Sequence, residues 1–75
     1  MNPASARVAV CFGGPSPEHD VSILTGLQAA HELRRRGRDV VAMYWSKVGT
    51  WHRVSPDLEG RAFVDGVPAG AEAAR

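Results

Sequence analysis

The chain has 75 residues, a formal net charge of +1 and a single cysteine, Cys11. That length allows one domain at most, of a size that buries only about 60% of its unfolded surface, and one thiol excludes the intrachain disulfides that often steady so small a scaffold. So weak a charge gives no field strong enough to predict nucleic acid or an anionic membrane as the partner. The longest apolar run, VAVCF, is far short of the roughly 20 residues of a membrane span, so a cytoplasmic protein with no nucleic-acid or membrane partner is expected.

Residues 1–6 carry no periodic pattern and are expected to be disordered. Residues 7–12, RVAVCF, are β-branched, aromatic and apolar without alternation, which predicts a strand buried on both faces of a parallel sheet. Cys11 is then a small buried hydrophobe and not a nucleophile. Gly13 and Gly14 end the strand. The segment VSILTGLQAAHELRRR follows, with Ile23, Leu27, Ala30 and Leu33 on one helical stripe and Asp20 or Ser22 competent to cap its start. Arg34, Arg35 and Arg36 suit the negative end of the helix dipole, and Gly37 suits the position just past it.

A second apolar run, DVVAMYW at 39–45, completes a βαβ unit with a right-handed crossover. SKVGT at 46–50 then predicts a turn into WHRV, an antiparallel edge strand, with Trp45 and Trp51 packed across the hairpin. Residues 56–75 are rich in Gly, Ala and Pro and are expected to be a loose tail, with only Phe63, Val64 and Val67 available to dock. The class is α/β: a βαβ unit plus a hairpin. Parallel strands need cover on both faces and the chain supplies one helix, so one face is expected to be bare and the chain to be a piece of a larger domain.

Chemistry concentrates in one loop, GGPSPEHD, residues 13–20, at the carboxyl end of the first strand, where open α/β sheets place ligands. Two readings of Gly13 and Gly14 stand: they admit a substrate close to the backbone, or they merely permit the turn. Glu18, stiffened in its approach by Pro15 and Pro17, is either the holder of a cationic substrate group or a solvated loop acid. The loop fits neither G-x-G-x-x-G nor a P-loop. His19 between two acids is a poor candidate for a Ser-His-Asp triad with Ser16 or Ser22, since near neighbours on a short loop seldom converge. His19, His31 and His52 show no metal-ligand spacing, so no metal site is expected, and His31 reads as a partly exposed helix residue.

VAVCFGGPSPEHDVSILTG and the later DVVAMYWSKVGTW resemble the N-terminal signature of D-alanine–D-alanine ligases over roughly residues 7–54. The resemblance implies that residues 7–55 are part of a Rossmann-like substrate-binding α/β domain that precedes an ATP-grasp fold, with the chain truncated before the ATP-grasp parts. It implies an ATP-dependent enzyme, using magnesium, that joins two D-alanine molecules for peptidoglycan precursors and usually forms a homodimer. Carried over by motif, Glu18 is the catalytic-site residue that contacts the amino group of the first D-alanine, with Gly13, Gly14, His19 and Ser22 beside it in the substrate site. Asp20 stands where the family commonly has glutamate. Residues matching the ATP clamp, the magnesium carboxylates and the second-substrate arginine are absent from these 75 residues, so ATP and magnesium are expected to bind elsewhere in the parent enzyme and the chain alone to be inactive. The rival reading is a stand-alone α/β binding or interaction module, which would fold by itself with a cooperative transition, where an enzyme fragment would be partly unfolded or aggregate.

Overall fold

Local sequence signals and the structure agree on the order of elements over residues 8–54. The structure, a computed structural model, describes residues 6–74, so the disorder expected at the N-terminus concerns residues that lie almost wholly outside the described range. Strand β1 is Val8–Gly13, helix α1 is His19–Arg35, β2 is Val40–Trp45, β3 is Trp51–Val54 and β4 is Glu72–Ala73, with a 3-10 turn at Gly60–Phe63. The sheet order is β1-β2-β3-β4. β1 and β2 are parallel in the register Val8↔Val40 to Gly13↔Trp45, while β3 runs antiparallel to β2 and β4 antiparallel to β3.

Helix α1 starts earlier than its sequence caps suggest. Glu18 occupies the N-cap position without a side-chain capping bond, and Asp20 lies inside the first turn, where its charge still complements the dipole. Ser22 is free of capping because its hydroxyl serves the preceding loop instead. At the other end the expectation holds: Gly37 adopts φ +81°, its N–H donates to Arg34 O at 2.9 Å, and the Arg38 N–H donates to Leu33 O at 3.0 Å. These two bonds make a Schellman closure that satisfies the last carbonyls.

α1 lays Ile23 and Leu27 on one face of the sheet, against Phe12, Ala42, Tyr44 and Val54, and buries Ala30 on the same helical stripe. Among the described residues no element covers the other face. Side chains alternate along a strand, so β1 turns Phe12 inward and leaves Cys11 exposed. The expected burial of Cys11 is therefore corrected: the apolar run alone could not say that only one face is covered within this chain. Trp45 and Trp51, directly opposite in the register, stack at 5.4 Å between ring centroids with planes 2° apart.

Residues 56–74 do not behave as a loose tail. Phe63 is buried in the core, edge-on to Phe12 at 5.7 Å and 4.9 Å from the Tyr44 ring. His31 Nε2 donates to Leu58 O at 2.9 Å, tying the segment to α1. Its end forms β4, so β3 is not an edge strand as the hairpin pattern suggested; the Ala74 N–H also reaches Trp51 O at 2.9 Å. A low density of apolar residues misled because a single phenylalanine fills the gap left between helix and sheet. Val64 and Val67, the other two candidates for docking, stay exposed.

Candidate functional site at the carboxyl end of β1

Gly13 and Gly14 carry the chain from β1 into the loop with φ of +99° and +100°. Both are in the region that L side chains rarely adopt. The requirement is spatial as well: a Cβ on Gly13 would lie 2.3 Å from the backbone oxygen of Trp45. Gly14 is tethered from several sides. Its N–H donates to Trp45 O at 2.7 Å, and its carbonyl meets His19 Nδ1 at 2.6 Å. The preceding Gly13 N–H donates to Ser22 Oγ at 3.0 Å, which is what the expected substrate serine does here.

His19, a candidate substrate contact, is 3% exposed. Its second nitrogen, Nε2, lies 2.9 Å from the Tyr44 hydroxyl, and the two rings pack edge to face with centroids 5.5 Å apart. Both ring nitrogens are thus engaged within the protein. The cause is helical period: His19 stands four residues before Ile23, and extending the Ile23–Leu27–Ala30 stripe upstream by one turn puts residue 19 on the core face. That signal was available, but only to a helix known to begin at 19.

Glu18 is exposed at the end of this braced loop. Its N–H donates to Ser16 Oγ at 3.0 Å and its carbonyl accepts the Ser22 N–H at 2.9 Å, so its backbone is fixed. Its carboxylate forms no ion pair with another of the described residues. Two prolines, Pro15 and Pro17, fix φ on the way to it. The result is a carboxylate held on a rigid support with its oxygens open to an incoming cation.

The hairpin contributes a group that motif reasoning did not pick out. Lys47 reaches the cleft of about 300 Å³ that Pro15, Ser16, Pro17, His19 and Asp20 line. A larger cavity of about 710 Å³ adjoins it, sharing His19, Asp20 and Lys47 and walled by Leu24, Tyr44 and Phe63. Lysine in a turn between two strands carries no sequence signal of its own; only the sheet register brings residue 47 beside residue 15.

Burial of Tyr44, reinforced by the negative charge of Asp20, holds its phenol pKa above the usual 10.0. The folded state therefore keeps this proton more tightly than the unfolded chain, so its contribution to stability is intact below pH 10.0 and is lost as pH rises through the raised folded value. Tyr44 is the one tyrosine of the chain, so tyrosinate absorbance reports it alone. We expect the folded chain to titrate above 10.0 and the urea-unfolded chain to return to it; a folded midpoint at or below 10.0 contradicts the burial of this hydroxyl.

Among the described residues no group of three or more His, Cys, Asp or Glu side chains is placed to hold a metal ion. The loop also lacks the glycine spacing that cradles a nucleotide. No helix among the described residues is long and apolar enough to cross a membrane.

Residues 7–72 match the family described as D-ala D-ala ligase N-terminus. The chain belongs to this family. It is 38% identical over 73 residues to the D-alanine–D-alanine ligase of Alkalilimnicola ehrlichii, an alignment that takes in 91% of this chain and 24% of that protein. With the D-alanine–D-alanine ligase of Mycobacterium leprae it shares 41% identity over 59 residues, 79% of this chain and 15% of the relative. The chain thus spans a quarter or less of these relatives' length. The solved structure of VanG D-Ala:D-Ser ligase from Enterococcus faecalis superposes with a TM-score of 0.65 at 21% identity, covering 81% of this chain and 17% of that one, which establishes the likeness of fold.

Proposed function

We propose that this chain is the N-terminal part of an ATP-dependent D-alanine–D-alanine ligase and that its loop 13–18 receives the first D-alanine. The observation that carries this reading is the Glu18 carboxylate, open and unpaired among the described residues, on a loop braced at Gly13, Gly14 and Glu18 itself. A carboxylate so placed accepts hydrogen bonds from a primary ammonium, and charge-assisted bonds of this kind are the strong ones. Held by its amino group, the amino acid has its own carboxylate free for activation and peptide-bond formation. Gly13 and Gly14 bring backbone, without side-chain bulk, to the wall of the same site, while Ser22 and His19 act behind them as supports.

ATP, magnesium and the groups for the second amino acid belong, in this reading, to the remainder of the parent enzyme, which completes a Rossmann-like domain on the bare face of the sheet. The parent works in the cytoplasm on peptidoglycan precursors, as a homodimer, without nucleic-acid or membrane partners.

Glu18→Gln tests the reading in the ligase that carries this segment. The change is nearly isosteric and the side chain is exposed, so the melting temperature should stay where it is. Loss of one charge-assisted bond of about 1.5–3 kcal/mol corresponds to a rise of roughly 10- to 100-fold in the KM for the first D-alanine. Unchanged kinetics remove Glu18 from the site.

A further inference from the structure

We propose that Tyr44 is a positioning residue: through His19 it sets the tautomer that clamps Gly14 and so fixes the loop that presents Glu18. For its link to D-alanine this rests on the function proposed above; the clamp itself does not.

The assignment follows from what each atom can do. A backbone carbonyl only accepts, so the 2.6 Å contact between His19 Nδ1 and Gly14 O requires a proton on Nδ1. If Nε2 also carried one, the ring would be a cation, buried at 3% exposure and without a carboxylate in hydrogen bond to it. An unpaired buried charge is strongly disfavoured. The neutral ring therefore has its lone pair on Nε2, and the Tyr44 hydroxyl, 2.9 Å away, donates to it. The raised phenol pKa described above keeps that donor protonated across ordinary pH.

The clamp matters because the span it controls is short. Between Gly14 and Glu18 lie only Pro15, Ser16 and Pro17, and proline fixes φ at two of these. The far end is anchored by α1, and the near end by Gly14 N–H to Trp45 O and by Gly14 O to His19. Tyr44 lies on β2, 25 residues from His19 in sequence, so one hydroxyl couples the second strand to the loop at the end of the first. Without it, Nε2 becomes a buried acceptor with nothing to accept, and the alternative tautomer would turn the Nδ1 lone pair against the Gly14 carbonyl. Either outcome loosens the loop.

The test is nitrogen-15 NMR of the histidine rings and of the Gly14 and Glu18 amides. The wild-type chain should show His19 with a protonated Nδ1 and a hydrogen-bonded, unprotonated Nε2. A ring protonated on Nε2, alone or together with Nδ1, overturns the proposal without any variant being made. Tyr44→Phe should shift the Nε2 resonance and move the Gly14 and Glu18 amides together. The pair His19→Asn and His19→Gln separates clamping from filling. Asparagine sets its side-chain N–H where Nδ1–H was and should keep both amides near their wild-type positions, whereas glutamine reaches toward Tyr44 and should lose them. Amides unmoved in Tyr44→Phe, or equal behaviour of the two His19 variants, would show that the pair merely fills space. Because D-alanine is absent from these measurements, failure of Glu18→Gln to affect kinetics would leave their result standing.

Discussion

Phe63→Ala is expected to lower stability by about 3–5 kcal/mol, the range for deleting a buried phenylalanine. Native domains hold roughly 0.05–0.15 kcal/mol per residue, which for 75 residues amounts to about 4–11 kcal/mol in all. A quarter or more of that margin thus hangs on one side chain in the least patterned part of the sequence. The reason is its position: Phe63 packs against Phe12 and Tyr44, the ends of the two parallel strands, and closes the core where α1 no longer covers it. Its removal should also release β4, seen as faster exchange of the Ala74 amide that bonds Trp51 O. Val64→Ala is the control, since Val64 is 79% exposed. Equal urea midpoints for the two variants would show that the segment after Pro56 is not part of the cooperative unit.

Gly13→Ala is expected to cost about 2–6 kcal/mol. Two terms add: the left-handed backbone at φ +99° strains any L side chain by about 1–3 kcal/mol, and overpacking contributes a further ~1–3 kcal/mol. The second term cannot relax cheaply, because the atom met at 2.3 Å is the carbonyl oxygen of Trp45, the same oxygen that accepts the Gly14 N–H. Moving it means shifting β2 against β1. Gly37 isolates the first term, since it has φ +81° with nothing within 4 Å of a built Cβ; Gly37→Ala should cost only about 1 kcal/mol. Denaturant melts of the two variants measure the difference. Similar losses would mean that the loop at Gly13 yields freely, and a yielding loop would not support Glu18 as described.

The loop's importance could be read from its position and composition, but its construction could not. Gly13, Gly14, Glu18 and Ser22 do cluster at the end of β1, as the motif suggests, yet only Glu18 offers a free side chain. Ser22 turns its hydroxyl back to the Gly13 N–H and His19 turns inward. Both residues would look like candidate contacts in any alignment of motifs, because a sequence pattern records which residues a loop needs without recording which way they face. Lys47 and Tyr44 show the converse: no residue beside them in sequence marks them for the loop, and they reach it through strand register.

By itself the sequence determined the elements whose signals are local: the apolar runs of β1 and β2, the helical stripe of Ile23, Leu27 and Ala30, the Gly37 stop and the turn between the tryptophans. Each depends on neighbours a few residues apart, where period and backbone freedom are written directly in residue type. Only the tertiary structure decided that Cys11 faces out, that Phe63 completes the core and that His19 joins Tyr44 to Gly14. Those outcomes depend on which face of a strand is covered and by what, and the partners named lie roughly 20 to 50 residues apart along the chain, beyond the reach of any local pattern.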